Sequence, residues 1–173
     1  MMKYIIAHKQ KGFSLIELIV YMAVLVLIIV ALFWTLISTT KSYKAIKVTR
    51  LMHASALTLL DRLSYEIRSA SSVDVGGSVL GVDDGVLSLN KDNDEITSNI
   101  LFEINNNRVS ISEDSLLEGY LTNDDVSVNK MRFDMYTDNG AVLISVEIQL
   151  EADIAGYVYT KDFQTSYVVR GSY

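Results

Sequence analysis

The sequence predicts an α+β chain: one long N-terminal helix, transmembrane in its first half and amphipathic in its second, packed on an antiparallel β-sheet. Three observations carry this expectation. From Leu18 to Ile37 there are 20 residues, of which only Thr35 lies outside the apolar and aromatic set. From Val48 to Ile67 apolar residues recur at three- and four-residue steps, the spacing of one helix face. Beyond Ser71 the period changes to two, with turn residues between the runs.

Each element follows in chain order. As a helix, the Leu18–Ile37 run rises about 30 Å at ~1.5 Å per residue, matching the hydrocarbon core of a bilayer. A buried soluble helix of that length would show a polar stripe, and this one has none. A removed secretory signal is the rival reading, but its apolar core is only ~7–15 residues long and ends at small residues. Here the run passes into Phe33, Trp34 and Thr35. Positive charge does not set the orientation: Lys3, Lys9 and Lys11 precede the run, and Lys41, Lys44, Lys47 and Arg50 follow it.

No Pro or Gly appears between Phe13 and Val75, so the helix can continue past Ser38-Thr39-Thr40. A helix from about Phe13 to Arg68 would be 56 residues, roughly 84 Å. The stripe Val48, Met52, Ala56, Leu59, Leu60, Leu63 and Ile67 is too short for a clean heptad coiled coil, and reads as an intramolecular docking face. Arg62 and Glu66 are four apart on the polar face, a pairing worth a few tenths of a kcal/mol. In the β-rich part, Val86–Leu89, Ile100–Ile104, Val109–Ile111, Leu116–Leu121, Val142–Leu150 and Phe163–Arg170 read as strands. Val126, Val128, Met131 and Phe133 form another, with a bulge expected near Asn129-Lys130. Asn105-Asn106-Asn107 and Asp138-Asn139-Gly140 read as hairpin turns. Gly76-Gly77, Gly81 and Gly85 read as turns in flexible polar chain. About 100 residues suffice for the small core this requires.

Composition narrows the function. Fifteen Lys+Arg against 21 Asp+Glu give a formal charge of −6, so overall charge does not indicate DNA as a partner. The absence of cysteine excludes a disulfide framework, a thiolate zinc site and thiol catalysis. Only His8 and His53 exist, and no G-x-S-x-G or P-loop occurs, so no catalytic residue and no cofactor is assigned. Asp92-Asn93-Asp94-Glu95 offers oxygen ligands to calcium, but the spacing is not an EF-hand loop and turns favour Asp and Asn anyway; no metal is assigned. The tyrosines at 157, 159, 167 and 173 belong with strands and their surface.

The junction before the apolar run is the informative stretch: Lys11-Gly12-Phe13-Ser14-Leu15-Ile16-Glu17. A carboxylate there costs ~2.5–3.5 kcal/mol at mid-bilayer and less near the interface, so it needs a partner or a reason. Ser14-Leu15-Ile16-Glu17 fits a capping box, which alone would explain Glu17 as a helix start. A basic leader, Gly12, Phe13, Glu17 and an unbroken apolar helix, in that order, resemble the N-terminus of type IV prepilins and type II secretion pseudopilins. The resemblance covers about 25 residues and implies a pilin-like fold. It also implies cleavage by prepilin peptidase between Gly12 and Phe13, N-methylation of Phe13, and a mature chain of 161 residues once the first 12 of 173 are removed. By the same resemblance Glu17 acts in subunit recruitment, meeting the amine of a neighbour. The implied partners are the peptidase, other pilin or pseudopilin subunits, an inner-membrane assembly platform and the lipid bilayer.

The implied organisation is a cytoplasmic leader (1–12), a transmembrane and assembly helix (13–40), an amphipathic helix (41–70) and an extracytoplasmic β-rich domain (71–173). The chain would sit in the cytoplasmic membrane as a single-pass protein and then join an extracytoplasmic filament. Segment 41–70 carries six basic and two acidic residues, net +4, and 71–173 carries six basic and eighteen acidic, net −12. Contact between the two on neighbouring subunits would suit a stacked filament, and a solvated helix face explains the charges equally. Leu59–Ala70 and Leu121–Phe133 are similar to the larger minor pseudopilins and minor pilins, whereas the missing C-terminal cysteine pair weakens a major-pilin reading. A major pilin, or an uncleaved single-span protein with a ligand- or partner-binding outer domain, stays open beside the minor subunit.

Overall fold

A computed structural model describes residues 14–93, 96–154 and 156–170. The chain divides into two compact units, Met1–Tyr43 and Lys44–Tyr173. One helix, α1 (Leu15–Ser69), contributes to both. It opens with the Leu18 N–H donating to the Ser14 carbonyl at 3.2 Å. Glu17 sits in its first turn and Arg68 in its last, each the sign that the helix dipole favours. The threonines do not end it because each satisfies its hydroxyl on the helix itself: Thr39 Oγ1 donates to the Thr35 carbonyl and Thr40 Oγ1 to the Leu36 carbonyl, both at 2.8 Å. In the first unit the apolar side chains from Leu18 to Ile37 are exposed all round, and the helix is long and apolar enough to cross a membrane.

In the second unit the strands are β1 (Ser72–Val73), β2 (Leu87–Asn93), β3 (Ile96–Asn105), β4 (Arg108–Glu113), β5 (Leu116–Tyr120), β6 (Val126–Asp138), β7 (Ala141–Ile154) and β8 (Tyr157–Val169). All neighbouring strands are antiparallel. They form two sheets rather than the single one expected, a five-stranded β1-β2-β3-β4-β5 and a three-stranded β6-β7-β8. The break falls at the Leu121–Asp125 turn. There Thr122 is buried, its carbonyl accepts two bonds from the Arg108 guanidinium, and its Oγ1 accepts from the Val109 N–H. Period-two alternation assigns each strand a buried face but does not say which strands pair.

The expected helix stripe is the docking face. Val48, Met52, Ala56, Leu59, Leu63 and Ile67 are buried, with Phe102 and Leu89 of the larger sheet and Phe133, Val146, Ile148 and Leu150 of the smaller in the same core. Leu60 is only partly buried. The Tyr167 hydroxyl on β8 donates to the Leu60 carbonyl at 3.1 Å, fixing the helix to the smaller sheet. Both predicted turns form, with Asn106 and Asn107 at φ 52° and 59°, and Asn139 and Gly140 at 48° and 89°. The bulge lies where expected, between Val128 and Lys130. A third hairpin, turning at Asp114-Ser115 with φ 49° and 67°, has no Asn or Gly to announce it.

The glycine-containing stretch is not flexible polar chain. Val79 bridges Val86, and the segment then runs along the outer edge of β6: Gly81 N–H donates to the Phe133 carbonyl (2.8 Å), Gly85 N–H to the Met131 carbonyl (2.7 Å), and Met131 N–H to the Asp83 carbonyl (2.7 Å). Gly85 permits this approach, since a Cβ there would stand 2.9 Å from the Met131 carbonyl oxygen and 3.2 Å from the Phe133 ring. Gly85→Ala is therefore expected to cost about 1–3 kcal/mol by overpacking. Gly119→Ala, which meets nothing within 4 Å, should stay within about 0.5 kcal/mol of the parent. Urea unfolding of the detergent-solubilised chain, followed by β-sheet circular dichroism, measures both.

Candidate processing and assembly site

Three residues were singled out by the sequence: Gly12, Phe13 and Glu17. Gly12 and Phe13 lie outside the described residues, as does the whole leader. Glu17 is placed at the head of the apolar helix, partly exposed, with its Oε1 accepting from the Tyr21 hydroxyl at 2.8 Å. In a capping box the carboxylate turns back toward the Ser14 amide; here this oxygen reaches forward by one turn. Tyr21 is the partner that sequence reasoning missed, counted only as one more member of the apolar run. Its i+4 spacing from Glu17 was the available signal.

The geometry leaves Glu17 with acceptor capacity. A carboxylate has about four lone-pair sites, and the tyrosine bond uses one. Among the described residues no cation pairs with it, and the sequence holds no Lys or Arg between Lys11 and Lys41. Tyr21 thus holds the carboxylate in orientation and the helix dipole favours it, and among the described residues it has no cation partner.

Elsewhere, several charged groups tie elements of the fold together. Glu66 departs from expectation: it is not on an exposed polar face but 2 % exposed, with Arg62 at 3.0 Å and Lys91 of β2 at 3.3 Å. Arg62 also reaches Glu118 of β5 at 2.8 Å, so the predicted helix pair is one link of a four-residue bridge from α1 to the larger sheet. On the smaller sheet, Glu147 holds the Lys130 ammonium above its ordinary pKa by hydrogen bonding, and Asp134 does the same for the Arg132 guanidinium. Of the acidic run, Asp92 accepts from the Thr97 hydroxyl at 2.8 Å, while Asp94 and Glu95 lie outside the described residues. Among the described residues no three His, Cys, Asp or Glu side chains stand together as metal ligands.

Comparison with known proteins gives one match. Residues 7–33 fit the family model of the prokaryotic N-terminal methylation motif. No curated protein and no solved structure matches the chain. The matched stretch contains Gly12, Phe13, Glu17, Tyr21 and most of the apolar run. A methylation motif leading into a long apolar helix, with an α+β domain after it, supports a subunit of the prepilin type, similar to type IV pilins and pseudopilins.

Proposed function

We propose that this chain is a non-enzymatic minor pilin or pseudopilin. It is cleaved between Gly12 and Phe13 by prepilin peptidase, N-methylated at Phe13, and assembled with other subunits into a type IV pilus or type II secretion-like filament. The observation that carries the reading is the methylation-motif match over residues 7–33, seated on an apolar helix of membrane-spanning length. Before cleavage the leader (1–12) faces the cytoplasm, 13–40 spans the membrane, and the amphipathic helix (41–70) and β-rich domain (71–173) lie outside. An assembly platform in the membrane receives the processed chain.

The chemistry is electrostatic. Cleavage creates an amine at Phe13, which stays cationic when methylated. The Glu17 carboxylate of an adjoining subunit accepts it, and pairing the two charges offsets a desolvation that neither bears well alone. Tyr21 holds the carboxylate ready for that contact. The minor assignment rests on the similarity of Leu59–Ala70 and Leu121–Phe133 to larger minor pseudopilins and minor pilins.

Intact-mass and N-terminal peptide mass spectrometry, on cells with and without active prepilin peptidase, tests the processing. The expected chain begins at N-methyl-Phe13 only when the peptidase works, and one that retains Met1–Gly12 in both strains overturns the reading. Glu17→Val should still be cleaved, but its incorporation into isolated filaments should fall at least tenfold. Equal incorporation would remove Glu17 from assembly.

A further inference from the structure

The last turns of α1 and the end of β8 enclose a groove lined by Arg68, Ser166, Tyr167, Val168 and Arg170. A second groove runs beside it along α1, past Asp61, Ser64 and Tyr65, and the same two arginines line it as well. The two elements are tied together here, because the Tyr167 hydroxyl donates to the Leu60 carbonyl at 3.1 Å.

The arginines are the first signal. A helix C-terminus accounts for Arg68, whose cation the dipole favours. It does not account for Arg170 at the same groove, brought there from the far end of the sequence, since two guanidiniums repel unless an anion lies between them. Arg62, Arg108 and Arg132 each hold a carboxylate. Among the described residues Arg68 and Arg170 hold none, and Asp61 in the adjoining groove pairs with neither.

The second signal is backbone. β8 is the last strand of its sheet, and over Ser166–Val168 its main chain pairs with β7 alone among the described residues. The Ser166 and Val168 side chains beside that edge are exposed. An open edge offers its N–H and C=O groups to an extended segment, which gains affinity from the main chain and specificity from what flanks it. Here the flank is a pair of guanidiniums, the group best suited to a carboxylate. A small inorganic anion would use the arginines and leave the edge unpaired. A long polyanion would meet segment 71–173, which carries −12. A short acidic strand satisfies both signals at once.

We propose that this groove is a peptide-binding site: an extended segment adds as a strand to the β8 edge at Ser166–Val168 and sets a carboxylate between Arg68 and Arg170. The site lies within the second unit, and the proposal does not depend on cleavage at Gly12–Phe13. The probe is a fluorescent peptide of alternating valine and threonine that ends in two aspartates. It is titrated with the detergent-solubilised full-length chain and followed by anisotropy.

The aspartate probe should bind, and Arg68→Glu with Arg170→Glu should weaken it at least tenfold. A probe ending in two lysines should recover binding to that variant, which separates a reversed site from a lost fold. Lys47→Glu with Arg50→Glu makes the same change of net charge at exposed positions elsewhere on α1 and should leave binding as in the parent. N-methylating the probe's backbone amides removes the donors that a β8 edge requires and should also weaken binding at least tenfold. No binding of the aspartate probe, indifference to the arginines or to N-methylation, or an equal loss from Lys47→Glu with Arg50→Glu overturns the proposal. So does displacement of the probe by inorganic phosphate as readily as by unlabelled peptide, which would leave an anion site without a strand.

Discussion

Phe133→Ala is expected to lower the unfolding free energy of the second unit by about 3–5 kcal/mol, the range for deleting a large buried ring that its surroundings cannot refill. Phe133 is fully buried in β6, directly opposite Val146 of β7. Two further contacts make collapse into the vacancy difficult. Its carbonyl is bonded by Gly81 N–H, and its ring lies close to Gly85, so the backbone on that side is pinned by the edge segment. The measurement is the urea midpoint of the full chain in detergent. Phe163→Ala, on a partly buried β8 position, gives the smaller loss against which the cavity term is read. A Phe133→Ala loss under about 1 kcal/mol would mean that the core repacks and the edge segment yields.

Glu66→Ala should have the next largest effect, about 2–4 kcal/mol. Breaking a buried ion pair by deleting one partner typically costs about 3–5 kcal/mol. A discount applies here because the cations left behind, Arg62 and Lys91, retain 37 % and 21 % side-chain exposure and can rehydrate. The Arg62 Nε, buried without a partner, shows that the bridge is not perfectly satisfied even in the parent. Glu118→Ala removes the exposed end of the same bridge and should cost under about 1 kcal/mol. A similar loss from both substitutions would show that burial of Glu66 does not set the strength of the bridge. The comparison is made by urea unfolding at one pH and ionic strength.

Much of this architecture is written in local pattern. The apolar run, the Val48–Ile67 stripe, the Asn-rich turns and the bulge at Asn129 are each set by a few neighbouring residues, and the structure places them where the spacing says. What was not legible depends on partners distant in sequence. The split into two sheets turns on the burial of Thr122 against Arg108. The burial of Glu66 depends on Lys91, 25 residues on, and the ordering of Val79–Gly85 on the β6 carbonyls. A helical wheel places Glu66 beside Arg62 but cannot say that a sheet will cover it. At the candidate site, Glu17 stood out because a carboxylate abuts an apolar run. Tyr21 was hidden by being counted as apolar.

Both sheets are meanders: each strand pairs with its neighbour in sequence, and spatial order is chain order throughout. A growing chain can therefore close every hairpin as soon as its second strand is made, without waiting for a distant strand. The cover for the outer edge of β6 is also synthesised first, since Val79–Gly85 precedes β6 by some forty residues. In the order of synthesis, β6 meets a finished guard on one side and β7 on the other. β8 is the last of the described strands to be made, and none of the others is left to pair with its far side.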